Sequence, residues 1–543
     1  MTFYAAEQFD PNEEDILRRY FTNLDQPVFA LVNLPEVVKG ALFARYSRSS
    51  KSLRRLFLDE FVGELDISGD ETIDATVGLK RAEELYDLVF FEYGDDSVAQ
   101  LGGVHLACEQ ASNLLTKVLE WGRLMSYLEQ STRYIAYNSR LDGRYRYYRD
   151  PEIMSSPLAA RYIADLDFLF DTYANLVETM REYFANSIPK TSTDSDFAYL
   201  QAIKAKALDS VRGILPAASL SNVGIYGSGQ AYEALLLRMR SHPLPEAREY
   251  SEMILLELRK VIPSFLKRVD IPNRGQQTSE YMSDSHERLT DIAEHYFPRT
   301  SSPLPHPTVD LTDYDPDAEI KLVASALYSH TDRSDRDIED RVRRMTVDER
   351  VKVLKALEGD RENRRHRPGR ALERPSYRFD ILADYGAFRD LQRHRMMTIE
   401  WQKLSPYHGF VLPEELHDAG TSQEFESAME RSMSLHDDLI DAFPEQAPYA
   451  VSLAYRVRFL MHFNAREAMH MLELRTTPQG HPAYRQVCQE MHTLIAEKAG
   501  HFAIAEMMKF VDHSSGSELE RLDAENKSDL KRDERITNNS KKS

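Results

Sequence analysis

Residues 121–134, WGRLMSYLEQSTRY, and residues 393–407, RHRMMTIEWQKLSPY, are two copies of one pattern in opposite halves of the chain. The second copy begins with Arg-His-Arg, whereas the first has Trp121 and Gly122 before its arginine. The first copy continues with Glu-x-Ser-x-Arg at residues 129–133, where the second has Trp, Lys and Ser. Each copy keeps polar residues that the other has lost, so we interpret the chain as a fused tandem of two divergent units.

A second repeated stretch supports the duplication. Residues 227–238, GSGQAYEALLLR, and residues 464–475, NAREAMHMLELR, each place an arginine eleven positions after the first residue. In this alignment the later copy has Asn, Arg and His where the earlier copy has Gly227, Gly229 and Glu233. The copies of this second repeat lie closer together along the chain than the copies of the first, which predicts an insertion within the first unit.

The stretch at 121–134 resembles the signature of flavin-dependent thymidylate synthases, Arg-His-Arg-x-x-Ser-x-Asn-Glu-x-Ser-x-Arg-Tyr. The matching residues are Arg123, Ser126, Glu129, Ser131, Arg133 and Tyr134. Residues 212–216, RGILP, resemble the family's Arg-x-x-Leu-Pro, and residues 464–475 resemble its Asn-Ala-Arg…His…Leu-Arg helix. The family's upstream Gly-His-x-Ser/Thr-x-x-Glu-His element has a partial counterpart in GDDSVAQL at residues 94–101.

The expected fold class is α+β and helix-dominated, with two homologous units that resemble the thymidylate synthase complementing fold. Small antiparallel sheets are implied by this resemblance, while apolar spacing near 3.6 residues predicts helices over much of residues 13–119. A segment rich in Ser, Thr, Pro and His, with FPRTSSPLPHP at its centre, predicts a linker between the units. The predicted domains are residues 1–275, a linker at 276–316, residues 317–512 and a disordered charged tail at 513–543.

Composition limits the class of protein. A net charge of −20 argues against a general affinity for nucleic acid or for an anionic membrane surface. The N-terminus lacks a basic-then-apolar signal pattern, and the sequence has no apolar run long enough for a membrane span. The two cysteines, Cys108 and Cys488, lie in apparently helical segments without metal-ligand spacing. We therefore expect a cytoplasmic protein without a metal site.

The resemblance implies the chemistry of the family, which is methylation of dUMP to dTMP with FAD as cofactor and with NADPH and methylenetetrahydrofolate as co-substrates. It implies that Arg475 is catalytic, lying against the uracil and favouring its ionised form. The cofactor-binding residues that it implies are Arg393, His394, Arg395, Asn464, Arg466 and His470. The dUMP-binding residues that it implies are Ser126, Glu129, Gln130, Ser131, Arg133 and Arg212.

Arginine suits these roles because its planar guanidinium binds phosphate oxygens bidentately and keeps its charge. On one helix, Asn464 and Arg475 would share a face about 16 Å apart, whereas Arg466 and His470 would lie on nearly the opposite face. Such a helix would serve two neighbouring sites. Because the family assembles each site from several subunits, the resemblance implies a homodimer that forms a pseudo-tetramer. The retained residues divide between the two halves, which predicts one class of composite site.

Two functions remain open: an FAD-dependent thymidylate synthase, and a non-catalytic relative that binds flavin or a nucleotide as a binding or scaffold protein. Residues 143–149, GRYRYYR, suit either an extended arm with packed rings or a solvated hairpin. Residues 361–374, RENRRHRPGRALER, are either a solvated basic turn or a phosphate-contacting loop. If helical, Ser126, Glu129 and Arg133 would form one polar stripe; the alternative is an exposed capping segment.

Overall fold

The structure is a computed structural model of the chain, and it describes residues 4–5, 7–34, 36–62, 100, 102–140, 143–192, 194–298, 308–515, 519, 522 and 526. The chain divides into two compact units, each with a four-stranded antiparallel sheet. Unit 1 comprises Met1–Ala174, Ile214–Ser301 and Ser427–Ser452, and unit 2 comprises Asn175–Gly213, Ser302–Glu426 and Leu453–Ser543. Each unit therefore includes one segment from the other half of the sequence.

The two sheets have the same strand order. In unit 1 the order is β1-β2-β4-β3, and in unit 2 it is β5-β6-β8-β7. The strands are β1 (Val28–Leu31), β2 (Gly103–Ser112), β3 (Met125–Glu129), β4 (Leu220–Ser228), β5 (Val309–Tyr314), β6 (Ser376–Asp384), β7 (Thr398–Trp401) and β8 (Arg456–Asn464). All of the pairings are antiparallel. The small antiparallel sheets that the resemblance implied are thus confirmed.

Helices make up most of the remaining structure, as expected for a helix-dominated α+β fold. The described α-helices are α1 (Pro11–Leu17), α2 (Glu36–Tyr46), α3 (Leu53–Glu60), α4 (Asn113–Leu119), α5 (Pro151–Met154), α6 (Ala159–Ser187), α7 (Asp196–Val211), α8 (Gly229–Arg240), α9 (Pro245–Arg259), α10 (Gln277–Tyr296), α11 (Ala318–Tyr328), α12 (Asp335–Arg343), α13 (Val347–Glu358), α14 (Tyr385–Leu391), α15 (Glu414–Asp418), α16 (Ser422–Ile440), α17 (Ala465–Arg475), α18 (Pro482–Glu497) and α19 (Phe502–Met507). None of the described helices is long and apolar enough to span a bilayer.

Alternating burial explains the central strand of unit 2. Every second residue of β8, from Val457 to Phe463, is buried, so that one face of the strand packs into the core. This period of two is the spacing that a half-buried strand requires. Phe463 stacks on Phe379 of the neighbouring strand β6, with ring centroids 5.6 Å apart. The sheet thus provides a fixed platform for the helices that leave its ends.

In both units a strand leads directly into a helix that a polar side chain caps. Ser112 caps α4 and Asp384 caps α14, each by accepting a hydrogen bond from a first-turn backbone N–H. Ser228 caps α8 and Asn464 caps α17 in the same way. Ser112 and Asp384 are as many residues apart as the equivalent residues of the first sequence repeat, such as Trp121 and Arg393. The second pair lies one residue closer together than the alignment of the second repeat predicted.

The alignment of the second repeat therefore needs a correction of one residue. Asn464 corresponds to Ser228, and Arg475 corresponds to the buried Met239 rather than to Arg238. The sheet registers agree, because Ser112 pairs with Leu220 in unit 1 and Asp384 pairs with Arg456 in unit 2. The sequence alignment matched the two arginines, but the strand ends and caps decide which positions are equivalent.

Several local predictions also need correction. Residues 13–119 are not helical throughout, because β1 and β2 lie there, and Cys108 is in β2 rather than in a helix. The Ser126–Arg133 stretch is strand β3 followed by a turn, which rules out the helical stripe. The predicted linker, residues 276–316, contains α10 and β5. Of the GDDSVAQL element only Gln100 is described, and the predicted tail lies mostly outside the described residues.

Two ambiguous segments are clearer in the structure. Residues 143–149 form an extended segment in which Tyr147 is buried and bridges to Ser219, which favours packed rings over a solvated hairpin. The Arg361 end of the basic segment 361–374 is buried, and its guanidinium donates to both carboxylate oxygens of Glu473, at 2.8 and 2.7 Å. This ion pair anchors the loop to α17.

Candidate functional site

Strand and helix lengths bring the two best-preserved motifs of unit 2 together. Helix α14 starts at one end of β6, and α17 starts at the opposite end of the paired strand β8, because Ser376 lies across from Asn464. Eleven helical residues run about 16 Å back across the sheet. The last residue of α17, Arg475, thereby reaches His394 in the turn that follows α14.

Asp390 is at the centre of a group of three arginines in unit 2. Its carboxylate oxygens lie 3.6 Å from Arg212 Nη1, 3.9 Å from Arg393 Nη1 and 4.0 Å from Arg475 Nη1. Three guanidiniums around Asp390, with Asp384 as a second carboxylate near Arg212, leave an excess of positive charge. Such an excess, on side chains that donate bidentately, suits a phosphate or another multiply charged anion.

Arg212 is the member of this group that comes from the first half of the sequence. It follows α7, whose residues belong to unit 2. Its side chain is buried, and its Nη2 has no hydrogen-bond partner among the described residues. Gly386 permits its close approach, because a Cβ there would lie 3.2 Å from Arg212 Nη2. Burial raises the pKa of nearby Asp384, and the Arg212 charge offsets part of that rise.

A chain of hydrogen bonds extends from Arg475 into the protein. Arg475 Nε donates to His394 Nε2 at 2.9 Å, and His394 Nδ1 lies 3.0 Å from Glu467 Oε1. On the far side of the carboxylate, His470 Nδ1 lies 3.4 Å from Glu467 Oε2. Burial lowers the pKa of His394 to about 4, so the ring is neutral at physiological pH. Burial alone would raise the pKa of Glu467, but hydrogen bonds from the two histidines outweigh it and lower the pKa to about 2.

His394, Glu467 and His470 also place three possible metal-ligand atoms within 4.8 Å of one another. A metal ion would need the lone pair of His394 Nδ1. That lone pair is not available, because Nε2 accepts from a permanently protonated arginine and a neutral imidazole must then carry its proton on Nδ1. The arrangement is therefore better described as a hydrogen-bond chain than as a metal site.

The other implied cofactor residues lie at the edges of this group. Asn464 caps α17 through a 3.0 Å bond from the Glu467 N–H, so its side-chain oxygen is engaged in the fold. Arg466, in the first turn of the same helix, lies 3.5 Å from Glu373 and keeps a side chain 38% exposed. Arg393 is similarly exposed, and Arg395 is half-buried. We call Arg393, Arg395 and Arg466, which lie on the same segments as the buried hydrogen-bond chain, the cationic rim.

The implied dUMP-binding residues other than Arg212 all belong to unit 1. Ser126 is exposed on β3, and Arg133 is half-buried in the turn that follows. Glu129 has a fully buried side chain that pairs with Lys117 Nζ at 3.1 Å. Gln130 is also buried, and its Nε2 donates to the Ser49 carbonyl at 2.6 Å. The backbone N–H of Ser131 donates to Ser47, so the turn is tied to its own unit.

The positions of unit 1 that correspond to the charged group of unit 2 carry side chains without charge. By the cap-based alignment, the counterparts of Asp390, Arg393, His394, Glu467, His470 and Arg475 are Val118, Trp121, Gly122, Ala231, Ala234 and Met239. Among the described residues, the arginine group and the hydrogen-bond chain are therefore found in unit 2 alone. Arg238, which looked like the retained arginine, instead donates to the Val118 carbonyl at 3.2 Å.

Sequence reasoning did not find Asp390 or Glu467. Asp390 stands three residues before the predicted site residue Arg393, and Glu467 stands three residues before His470. Side chains with this spacing contact each other on a helix. This spacing was a possible signal, but acidic residues at such spacing are common on solvated helix faces. Their importance became visible only through contacts between separate elements.

Comparisons with known proteins agree with the duplicated fold. The sequence model of the family described as thymidylate synthase complementing protein matches residues 41–264 and 310–500. The chain is 40% identical to the UPF0159 protein of Chlamydia muridarum over 523 residues, which covers 96% of this chain and 98% of that protein. It is 31% identical to the UPF0159 protein of Thermoplasma acidophilum over 520 residues, covering 91% and 99% respectively. Both matches span nearly the whole of each protein.

Among solved structures, the chain is similar to the UMP/dUMP methylase PolB from Streptomyces cacaoi, solved with 5-bromo-dUMP. The two are 19% identical, with a TM-score of 0.29. The match covers 38% of this chain and 97% of the methylase.

Proposed function

Because the chain belongs to the thymidylate synthase complementing protein family, we propose that it is a flavin-dependent thymidylate synthase that methylates dUMP to dTMP. The observation that carries this proposal is the Asp390-centred group of Arg212, Arg393 and Arg475. A synthase of this kind binds nucleotide phosphates and a uracil ring. Its protein groups must therefore supply fixed cations and a planar donor, and this group has both.

FAD is the cofactor that the family resemblance implies, and the cationic rim of unit 2 fits an anionic dinucleotide. Arg393, Arg395 and Arg466 would hold its phosphates, while Asn464 and His470 would support the same end of α17. When bound and reduced by NADPH, FAD would supply the hydride, and methylenetetrahydrofolate would supply the one-carbon unit. The chain's own contribution is binding, orientation and charge.

For dUMP, we assign Arg475 to the uracil and Arg212 to the phosphate. Arg475 would stabilise negative charge on the uracil ring, because its guanidinium is fixed and always charged. Ser126, Glu129, Gln130, Ser131 and Arg133 would complete a composite site in a homodimeric pseudo-tetramer, with Glu129 and Gln130 holding the turn in place.

A route that depends on a cysteine nucleophile has little support. Cys108 and Cys488 are both buried. Burial raises the pKa of the Cys108 thiol far above its usual range and that of Cys488 to about 12. Because the thiolate is the nucleophilic form, both thiols would be inert at neutral pH.

The second candidate is a non-catalytic relative that binds flavin or a nucleotide as a scaffold. The observation that favours it is the uncharged set of counterparts in unit 1, which includes Val118, Trp121 and Met239. Loss of half of the charged residues is what relaxed selection on one unit would produce. The same loss is expected if one composite class of site stays active, so activity must decide.

We expect the purified protein, supplied with FAD, NADPH, methylenetetrahydrofolate and dUMP, to form dTMP that chromatography detects. We also expect the gene to restore growth of a bacterium that requires thymidine. Omitting FAD from protein stripped of flavin is the control and should stop dTMP formation. Flavin-loaded, soluble protein that forms no dTMP and does not restore growth would favour the non-catalytic candidate.

A further inference from the structure

We propose that Glu467 is a positioning residue that fixes the Arg475 guanidinium through His394 and leaves its two terminal nitrogens for one planar acceptor ligand. Neither the family resemblance nor the sequence pattern assigns Glu467 a role. The identity of the ligand as the uracil of dUMP rests on the proposed function. The arrangement of the three side chains does not depend on it.

The first step concerns the proton on His394. Arg475 Nε always carries hydrogen, so at 2.9 Å His394 Nε2 must accept with its lone pair. A neutral imidazole that accepts at Nε2 carries its proton on Nδ1. Glu467 Oε1, at 3.0 Å, is the acceptor for that proton. The carboxylate thus determines the tautomer, as the second partner of a histidine generally does.

The second step is the consequence of losing the carboxylate. Without an acceptor at Nδ1, the buried Nδ1–H would have no partner, and the ring would no longer be held in the tautomer and orientation that accept from Arg475. If the proton moved to Nε2, Nε2–H would face the Nε–H of Arg475, and two donors cannot bond to each other. Arg475 would lose the contact that fixes its orientation, although Glu467 itself never touches the guanidinium.

The third step is that Glu467 is itself held rigidly. It lies in the first turn of α17, where its backbone N–H donates to the capping Asn464 side chain at 3.0 Å. Its second oxygen lies 3.4 Å from His470 Nδ1, and the His470 ring packs edge-on against His394 with centroids 5.3 Å apart. A carboxylate with both oxygens engaged has little freedom to turn away.

The internal duplication gives independent support. In unit 1 the counterparts of His394, Glu467 and Arg475 are Gly122, Ala231 and Met239. All three residues of the hydrogen-bond chain are missing together from the unit that lacks the arginine group. Joint loss is expected of residues that act as one device, because none of them is useful without the others.

The hydrogen bond to His394 leaves the two terminal nitrogens of Arg475 as donors for a ligand. Arg475 uses Nε for His394, and neither terminal nitrogen has a hydrogen-bond partner within the described part of the chain. The guanidinium also lies over the Tyr484 ring, with its carbon 5.5 Å from the ring centroid. Two coplanar NH₂ groups held in this way match a planar ligand with neighbouring acceptor atoms, such as the edge of a pyrimidine base.

The test uses graded replacements of Glu467 and the affinity for dUMP measured by titration calorimetry. Glu467→Met removes the acceptor and should weaken dUMP binding about 10- to 100-fold, the usual effect of losing one charge-assisted contact. Glu467→Gln keeps a carbonyl acceptor and should restore most of the affinity. Glu424→Met is the matched control, because Glu424 is an exposed acidic residue in the first turn of α16. It should bind dUMP like the wild type.

A spectroscopic measurement decides the mechanism without relying on dUMP or on a folded Met variant. Nitrogen-15 NMR of histidine-labelled wild-type protein should show the Nδ1–H tautomer for His394, assigned from the signal missing in His394→Asn. An Nε2–H tautomer, one bound metal ion per chain, or unchanged dUMP affinity in Glu467→Met would each overturn the proposal. Wild-type protein that shows the Nδ1–H tautomer but binds no dUMP would defeat the proposed function and leave the positioning role standing.

Discussion

Replacing Arg475 with lysine should weaken dUMP binding about 100-fold or more and abolish dTMP formation, with little change in stability. Lysine cannot donate to His394 and present two coplanar nitrogens at once, so it loses two charge-assisted contacts of about 1.5–3 kcal/mol each. Titration of dUMP into flavin-loaded protein and a chromatographic assay for dTMP measure both effects.

Arg238→Lys is the control for this experiment. Arg238 belongs to unit 1, where its guanidinium donates a hydrogen bond to the Val118 carbonyl. It should leave dUMP affinity within about twofold of wild type at a temperature where both proteins are folded. Equal loss in the two variants, or full activity of Arg475→Lys, would contradict the assignment of Arg475.

Replacing Lys117 with methionine should destabilise the protein by about 3–5 kcal/mol, the range for breaking a buried ion pair by removing one partner. Lys117 Nζ lies 2.5 Å from Glu120 and 3.1 Å from Glu129, and all three side chains are at most 3% exposed. Removing the ammonium would leave two buried carboxylates without that cation. Urea unfolding followed by circular dichroism measures the loss.

The double variant Lys117→Met/Glu129→Met tests the cause. It should recover part of the lost stability, because one of the two buried carboxylates is gone and the effects of substitutions at contacting residues are not additive. Lys190→Met is a matched surface control, since Lys190 pairs with Asp196, whose side chain is 88% exposed. A loss below about 1 kcal/mol in Lys117→Met would show that the buried group is not structural.

The family and the duplication could be predicted from the sequence, because fixed spacings of rare residue combinations survive divergence. The helix of residues 464–475 was also predictable, since its cap and periodicity are local. Strands β1 and β2 were not, because strands that are mostly buried on both faces lack the regular alternation that identifies a half-buried strand. The burial of all four residues of β1 illustrates this ambiguity.

The site was only partly predictable, for two physical reasons. Residues such as Arg393, His394 and Arg475 belong to recognisable sequence motifs. Asp390 and Glu467 gain their roles from contacts between residues of separate helices and turns. The alignment of the second repeat depends on where each strand ends and its helix cap begins. These positions make Met239 the equivalent of Arg475 in the repeat. Matching identical residues along the sequence could not reveal that one-residue shift.

The most direct test of the central claim is the number of FAD molecules bound per chain. Because the cationic group of unit 2 has uncharged counterparts in unit 1, we predict one FAD per 543-residue chain. Equilibrium dialysis against FAD, with bound flavin read at about 450 nm and protein quantified by amino-acid analysis, gives this number. The predicted result is one FAD per chain, lost in Arg393→Met but kept in Arg341→Met, which changes an exposed position of α12. Two FAD per chain, or none, would contradict the account.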